Sequence, residues 1–561
     1  MINNAITITS PITIWGTGTF KASTALVPED WMTITAAPGV TISGITFSME
    51  LPANTIKRAL RVMQCQRLLL ENCKFLFPVM PQLDGRYQTI RMDRTSYFKV
   101  RGCHFEVTDP TFDGTIVETS GSLVRHGLYM AYGCRHGIIS DNTSNWVGVP
   151  IIAQYINGGQ LVSDLVITSN ALRNSGHYGI ACYSRTDDFD FPISNCTISN
   201  NVIDTVYGNF YNTATFNYTH GAGIYLQTTT NTTVTGNVVR NVNINTNSQT
   251  LVPAAIGGLL RNINTTITGN TCDGGTYFGI VAAGEYNTVS GNTLTNFVQS
   301  SIFINIGKYI TIQGNVINNT DTALVSTNGI RIFNSIDEIV SHISITGNTI
   351  INCYYGIRLE LTEYFQIIGN NIFQDDEDIN LGQGIATIET AKYGVISGNT
   401  IKRNPTGRGL SVASESLRVH NNFVDGGAAN QNILVGALST KSIISNNITQ
   451  ANNNNNAIGV IQIPAAESIN IRWYSPGVLV ELTAPAVAIV GALNMASFVI
   501  RNDLYFSIMS TVEGNTIAHA SAPALLAARF RLTAGVNLTM AINVIYSFRW
   551  SPTLSSWVQM A

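Results

Sequence analysis

The chain has 561 residues, 12% of them charged and 45% hydrophobic, with a formal net charge of −3 at pH 7. That balance excludes a disordered chain and offers no basic field for nucleic acid. Gly is plentiful at 48, and Asn, Thr and Ile abound, a mix that suits short strands and tight bends rather than helices. The eight Cys lack paired metal spacing and read as buried thiols, with no metal site and no cofactor expected.

From the front, "MINNAITITSPITIW" has neither a basic start nor a continuous apolar run, so it is not read as a secretory signal. Residues 1–34 are expected to form an N-terminal cap, and "GVTISGITF" (39–47) opens a repeating pattern. Its clearest copies are "VTGNVVRN" at 234–241, "VSGNTLTN" at 289–296, "ITGNTIIN" at 345–352 and "ISGNTIKR" at 396–403. Fifteen equivalent positions run Ile45, Cys73, Cys103, Asn142, Asn170, Asn201, Asn237, Asn270, Asn292, Asn315, Asn348, Asn370, Asn399, Asn422 and Asn447, twelve of them Asn. The smallest separation is 22 residues, between Asn270 and Asn292 and again between Asn348 and Asn370, and the others add variable insertions. A fixed motif with a floor on its period is the mark of a solenoid.

A second landmark precedes each Asn and reads Gly-Ile-x-apolar: "GIACY" at 179, "GIYLQ" at 223, "GIVAA" at 279, "GIRIF" at 329 and "GIRLE" at 356. Its alternation marks a short strand with one buried face. Gly-Asn reads as a corner, because both residues accept a left-handed backbone cheaply. Twenty-two residues are too few for a strand-helix unit per turn and fit three short strands, stacked in parallel about 4.8 Å apart.

The pattern ends in "ISNNITQANNNNN" (444–456). Residues 457–561 contain no Lys, hold Trp473, Trp550 and Trp557, and alternate in segments such as "VNLTMAINVIYSFRW", which suggests an antiparallel β domain. Within it "LTAPAVAIVGALNMASFVI" (482–500) is uncharged but holds Pro485 and Asn494, so a buried strand pair is expected rather than insertion into a membrane.

With coils over about 35–455 and a small β domain after them, the chain resembles bacteriophage tailspikes and polysaccharide depolymerases built on the right-handed parallel β-helix of the pectate-lyase-like superfamily. The closing "YSFRWSPTLSSWVQM" resembles the last strands of their trimerising domains. The resemblance implies an all-β homotrimer divided into 1–34, a cap or particle-attachment segment; 35–456, the β-helix that binds and cleaves glycan; and 457–561, a capping and trimerisation domain. It further implies a virion tail location, a tail, baseplate or adaptor protein as partner, and action on a capsular or O-antigen polysaccharide at the bacterial surface. Val281, Phe303 and Phe333 point outward from the Gly-Ile strand and fit a subunit interface.

Such enzymes commonly hydrolyse glycan with two carboxylates on the outer face of the coils, one as acid and one as base or nucleophile, roughly 5–9.5 Å apart. Aligning the Gly-Ile strands puts Arg61, Arg91, Tyr129, Pro150, Ala181, Tyr225 and, further on, Arg331 and Arg358 in one outward column, with Asp93, Tyr183, Gln227, Asn305, Phe333 and Glu360 in the next. One candidate constellation is Arg331, Arg358 and Glu360, with Asp337 and Glu338 in an insertion beside it, able to grip an acidic sugar. The other is "GHYGIACYSRTDDFDF" (176–191), with His177, Tyr183, Arg185, Asp187 and Asp188, facing a long loop (204–221) that brings His220 ahead of Tyr225. Aromatic faces stack on sugar rings and carboxylates bind their hydroxyls. Asp187, Asp188 and Glu360 are the candidate catalytic residues. A lyase acting on a uronate with His177 or His220 as base is the alternative, and a non-catalytic adhesin or structural tail fibre on the same fold is the third reading.

Overall fold

The structure is a computed structural model. It describes residues 5–21, 30–48, 58–77, 88–108, 126–156, 160–184, 192–207, 210–212, 217–219, 221–242, 254–275, 277–319, 327–333, 339–374, 382–388, 390–403, 408–425, 433–435, 442–445 and 447–450, and beyond these the strands named below with a few neighbours. The chain divides into two compact units, Met1–Ile317 and Asn318–Ala561. Among the described residues every regular element is a strand and none is a helix.

In the first unit each coil contributes three strands. Ala222–Gln227, Thr233–Thr235 and Val238–Val242 form one coil, and each pairs in parallel with the equivalent strand of the coil before and after. The architecture is a parallel β-helix. The Gly-Ile landmark is the first strand, whose Ile180, Ile224, Ile256 and Ile280 stack in one fully buried column. Val234, Ile267 and Val289 fill the second wall, and Val239, Cys272 and Leu294 the third. Coiling begins early in the chain, since Ile6–Ile8, Ile12–Trp15 and Thr19–Lys21 already pair in parallel with Asp30–Thr35, Val40–Ser43 and Thr46–Ser48. Phe20, Phe47, Phe75 and Phe105 stack through these first coils at 5.6, 4.9 and 5.2 Å.

The amide column forms as read from the sequence, and the structure refines its cause. Each Asn is buried, and most accept two hydrogen bonds from the Asn of the coil before: Asn237 N and Nδ2 both donate to Asn270 Oδ1 at 2.9 Å, and Asn270 N and Nδ2 to Asn292 Oδ1 at 2.9 Å. Its own amide also reaches carbonyls of earlier coils, as Asn292 Nδ2 does to Ile267 O at 2.9 Å. The left-handed residue is the one before the Asn: Gly236, Gly269, Gly291 and Gly314 have φ of 61° to 64°, and Asn72, Asp141, Ser169 and Asn200 take that place elsewhere. Gly supplies the torsion, and Asn satisfies backbone groups that water cannot reach.

The second unit repeats the device. Asn328–Ile332, Tyr355–Leu359, Gln383–Thr387 and Arg408–Val412 pair in parallel succession. Asn348, Asn370, Asn399, Asn422 and Asn447 form its amide column. Beyond it, Val460–Gln462, Val478–Leu482 and Tyr505–Ser510 still pair in parallel. Antiparallel pairing from 457 onward, expected throughout, holds among the described strands only in part: Asn456–Ile458 pairs so with Ile448–Gln450, Thr516–Ile517 with Leu538–Thr539, Ile545–Ser551 with Tyr505–Ser510, and Ser556–Gln559 folds back on Ile545–Ser551. The long connection between Leu482 and Tyr505 has length for a parallel crossover, whereas the short one between Ser551 and Ser556 can only reverse. All eight Cys are buried free thiols, as expected.

Candidate functional site

On the first strand of each coil, alternation sends every second side chain away from the core. In the first unit one outward column runs Thr33, Arg61, Arg91, Tyr129, Ile152, Ala181 and Tyr225. Ile152 stands where Pro150 was expected; the strand Val149–Tyr155 enters two residues later than the Gly-based alignment assumed, because no Gly-Ile pair marks it. The neighbouring column, Asp93, Ala131, Gln154, Tyr183 and Gln227, includes Asp93, Tyr183 and Gln227 as expected.

The outward face of these coils is not a wet surface. Tyr129, Ala131, Val149, Ile152, Tyr178, Ala181, Ala222 and Tyr225 form one buried cluster, with Tyr132, Ile156 and Tyr183 packed half-buried at its edge. Its rings are ordered: Tyr178 stacks on Tyr225 with centroids 4.6 Å apart and planes within 6°, the half-buried His177 lies 3.7 Å from Tyr178, and Tyr183 meets Tyr225 edge-on at 5.9 Å. Polar groups are threaded through it. The Tyr129 hydroxyl donates to Gln154 Oε1 at 2.7 Å, the Tyr225 hydroxyl donates to Gln227 Oε1, and Gln227 Nε2 donates to Ser184 O at 3.3 Å. Burial pushes the phenols of Tyr178 and Tyr225 well above the usual tyrosine range, so both stay protonated donors and neither serves as a base. Tyr178 and Gln154 were missed from sequence; Tyr178 lies two residues before Ile180, so strict alternation would send it to the core side and gives no signal for its place in the cluster.

Of the candidate constellation at 176–191 and its facing loop, His177, Tyr183 and Tyr225 therefore come together, while Arg185, Asp187, Asp188 and His220 lie outside the described residues. Val281 and Phe303 do not serve as free outward surface for a second copy. They are 1% and 6% exposed within one chain, and Phe303 stacks on Phe278 at 4.6 Å. Outward direction from a sheet does not imply contact with water where other segments of the chain cover that sheet.

In the second unit Arg331 and Arg358 are register partners on adjacent coils. Both face one carboxylate oxygen: Glu360 Oε1 lies 3.4 Å from Arg331 Nη2 and 2.8 Å from Arg358 Nε. Arg331 also sits over the Phe333 ring at 4.5 Å and Arg358 over Tyr355 at 4.8 Å. Burial lowers the Arg331 pKa, and the nearby Glu360 opposes that shift. The half-buried pair of stacked cations with one acid leaves a net positive charge. Asp337 and Glu338 lie outside the described residues.

A smaller version of this charge pattern lies in the first unit. Asp30 pairs with Arg58 at 2.6 Å and Arg61 at 3.2 Å, and Arg91 with Asp93 at 2.9 Å. Among the described residues no group of three or more His, Cys, Asp or Glu could hold a metal ion.

A family model described as periplasmic copper-binding protein (NosD) matches residues 212–385 and 336–430. No curated protein matches the chain. Among solved structures, a tailspike protein double mutant of E. coli bacteriophage HK620 is similar at 10% identity, covering 79% of this chain and 74% of that one with a TM-score of 0.36. The pre-mature bacteriophage phi29 gene product 12 is similar at 12% identity, covering 91% and 68% with a TM-score of 0.41. The GH136 lacto-N-biosidase from Eubacterium ramulus is similar at 11% identity, covering 71% and 63% with a TM-score of 0.32. The parallel β-helix itself is read from the strand pairing above.

Proposed function

We propose that the chain is a bacteriophage tailspike that binds a bacterial capsular or O-antigen polysaccharide on the outer face of its coils and hydrolyses it with a pair of carboxylates. The observation that supports this most is the half-buried edge of the aromatic cluster, where His177 and Tyr183 pack on the buried Tyr178 and Tyr225 beside the half-buried Gln227 and keep part of their surface open to a ligand. Ring faces beside amide and phenol donors are what a sugar needs: its C–H faces pack on the rings and its hydroxyls find fixed partners. In this reading Asp187 and Asp188, which follow in sequence the strand that carries Tyr183, supply the acid and the base, with Arg185 and His220 as substrate-binding residues. Glu360 is the alternative acid, with Arg331, Arg358 and Asp337 as substrate-binding residues. Three copies assemble, the segment 1–34 or a partner on the tail attaches them to the particle, and the protein works at the host surface.

An elimination on a uronate is the second reading, and one observation favours it: the half-buried His177 ring is held on Tyr178 at the edge of the cluster.

Incubation with capsular and O-antigen polysaccharides tests these readings. Hydrolysis yields new reducing ends without an unsaturated product, elimination yields the unsaturated product, and a non-catalytic adhesin binds without shortening any chain. The double variant Asp187→Asn with Asp188→Asn is expected to abolish cleavage while binding persists. Full activity in that variant and in Glu360→Gln removes both carboxylate assignments.

A further inference from the structure

The corner that follows the first strand of each coil carries left-handed residues along one exposed edge of the first unit. Asn195, Asn231 and Asn264 take that torsion at φ of 55°, 51° and 53°, and Tyr286 and Tyr309 take it at 57° on the next two coils. Asn enters this region cheaply and a bulky side chain does not. The two rings lie face to face, with centroids 4.9 Å apart and planes within 4°, yet Tyr286 stays 54% exposed and Tyr309 46%. Neither torsion nor burial accounts for tyrosine where the three preceding coils use asparagine. Backbone strain held at an exposed place points to a use for the side chain.

The junction of amides and rings has its own chemistry. Asn264 N donates to Glu285 O at 2.9 Å, and Ile263 is the register partner of Glu285, so Asn264 and Tyr286 hold equivalent positions on adjacent coils. The amides all donate in one direction: Asn264 Nδ2 to Asn231 Oδ1 at 2.7 Å, Asn231 Nδ2 to Asn195 Oδ1 at 3.2 Å, and Asn195 Nδ2 to Asp164 Oδ1 at 3.0 Å. The ladder therefore ends on Asn264 Oδ1, an exposed acceptor to which no described residue donates. Tyr309 covers one face of Tyr286, and the other face meets no ring among the described residues. The flanking charges, Glu285 and Lys308, are register partners of opposite sign, and the edge itself is uncharged from Asn195 to Tyr309.

From this geometry we infer a binding site for a neutral glycan chain, with one sugar packing its C–H face on the open face of Tyr286 and donating a hydroxyl to Asn264 Oδ1. Each amide nitrogen of the ladder keeps a second N–H for the sugars that follow. The site goes beyond the reading above: it uses none of the residues placed there, lies on a corner and not on a sheet face, and anchors glycan without acting on it. The second unit carries the same kind of edge. There His342, Tyr364 and Tyr393 have φ of 57°, 54° and 56° and stack at 5.1 and 5.2 Å, and the run ends on Ser416, which follows Glu415, the bridge partner of Lys392.

Saturation-transfer NMR on the full chain with maltohexaose, cellohexaose and chitohexaose tests the site, because a single ring reads the C–H face that these neutral chains share. At least one of them is expected to bind the wild type, and Tyr286→Phe is expected to keep that binding. Tyr286→Asn is expected to weaken it roughly tenfold, the worth of one aromatic contact, and Asn264→Gly to weaken it less. No binding by any of the three, undiminished binding in Tyr286→Asn, or binding of dextran sulfate alone overturns the inference. So does a Tyr286→Asn variant that loses an oligomer and keeps the glycan, since the rings then serve a second copy. Where that variant folds poorly, nitration of the wild type decides the matter: bound oligosaccharide is expected to protect Tyr286, and an unprotected Tyr286 overturns the site. A chain that shortens a polysaccharide yet binds no oligosaccharide through Tyr286 sinks this inference and leaves the proposed function standing. Binding that depends on Tyr286 in a chain that shortens no polysaccharide does the reverse.

Discussion

Two corners of the first unit bend the chain with nearly the same torsion and fill it with opposite residues. At the amide corner the left-handed residue is mostly Gly, with φ of 61° to 64° from Gly236 to Gly314, followed by a buried Asn. At the corner after the first strand the left-handed residues are Arg67, Tyr97, His136, Asp164, Asn195, Asn231, Asn264, Tyr286 and Tyr309, with φ of 51° to 59°. These side chains stack along the edge. Tyr97 lies on His136 at 4.7 Å, Asn264 donates to Asn231, Asn231 to Asn195 and Asn195 to Asp164, and Tyr286 lies on Tyr309 at 4.9 Å. A left-handed Tyr costs about 1–2 kcal/mol, and a stacked aromatic pair returns about 0.5–1.5 kcal/mol. At the amide corner some sites lack the space: a Cβ on Gly236 would stand 2.6 Å from Asn200 Oδ1, and one on Gly102 2.3 Å from Asn72 Oδ1. Torsion alone therefore does not choose the residue; the neighbouring coil and access to water do.

That contrast can be broken by mutation. Asn292→Ala removes the acceptor of two hydrogen bonds from Asn270 and the donor to Ile267 O, all in the dry core. It is expected to cost about 4 kcal/mol, read as a lowered denaturant midpoint. A loss below about 1 kcal/mol, the net worth of one ordinary hydrogen bond, would mean that the amide column is ornament. Next, Gly291→Val forces a β-branched residue to φ 61° and is expected to cost about 2 kcal/mol, although no atom lies closer than 4.0 Å to the added Cβ. A neutral outcome there would show that crowding, and not torsion, selects Gly.

The buried thiols sharpen the comparison through pH. Burial pushes Cys65 up to about 11 and Cys134 up to about 12. Both folded values lie above the unfolded one, so their contribution is complete below about pH 9 and is lost as pH rises toward 11 and 12. Stability should fall across that alkaline window, and alkylating reagents at pH 8 should label these thiols only after unfolding; rapid labelling of the folded chain contradicts the burial. The smallest effect is expected at the exposed corner. Tyr286→Asn exchanges a stacked ring for a residue at ease in the left-handed region, and should change stability by less than about 0.5 kcal/mol. A loss as large as that of Asn292→Ala would erase the distinction between the corners.

The sequence carried the coil, its three strands and the register of the amide column, because each depends on a local signal repeated at every turn. Gly-Asn fixes the bend, and alternation fixes which side chains enter the core. The charged trio Arg331, Arg358 and Glu360 was legible for the same reason, lying at matched positions of one repeat. Tyr178 and the shared carboxylate of Asp30 were not, since the first lies before the repeated motif and the second acts on residues about thirty positions away.

What only the tertiary structure decided is the fate of the outward face. By pattern, Tyr129, Ile152, Val281 and Phe303 belong to the side away from the core, yet each is less than 10% exposed. Direction from a strand is a property of the backbone and can be read residue by residue. Burial is a property of everything else that arrives at that place, and segments of unlike sequence leave no periodic trace from which to read it.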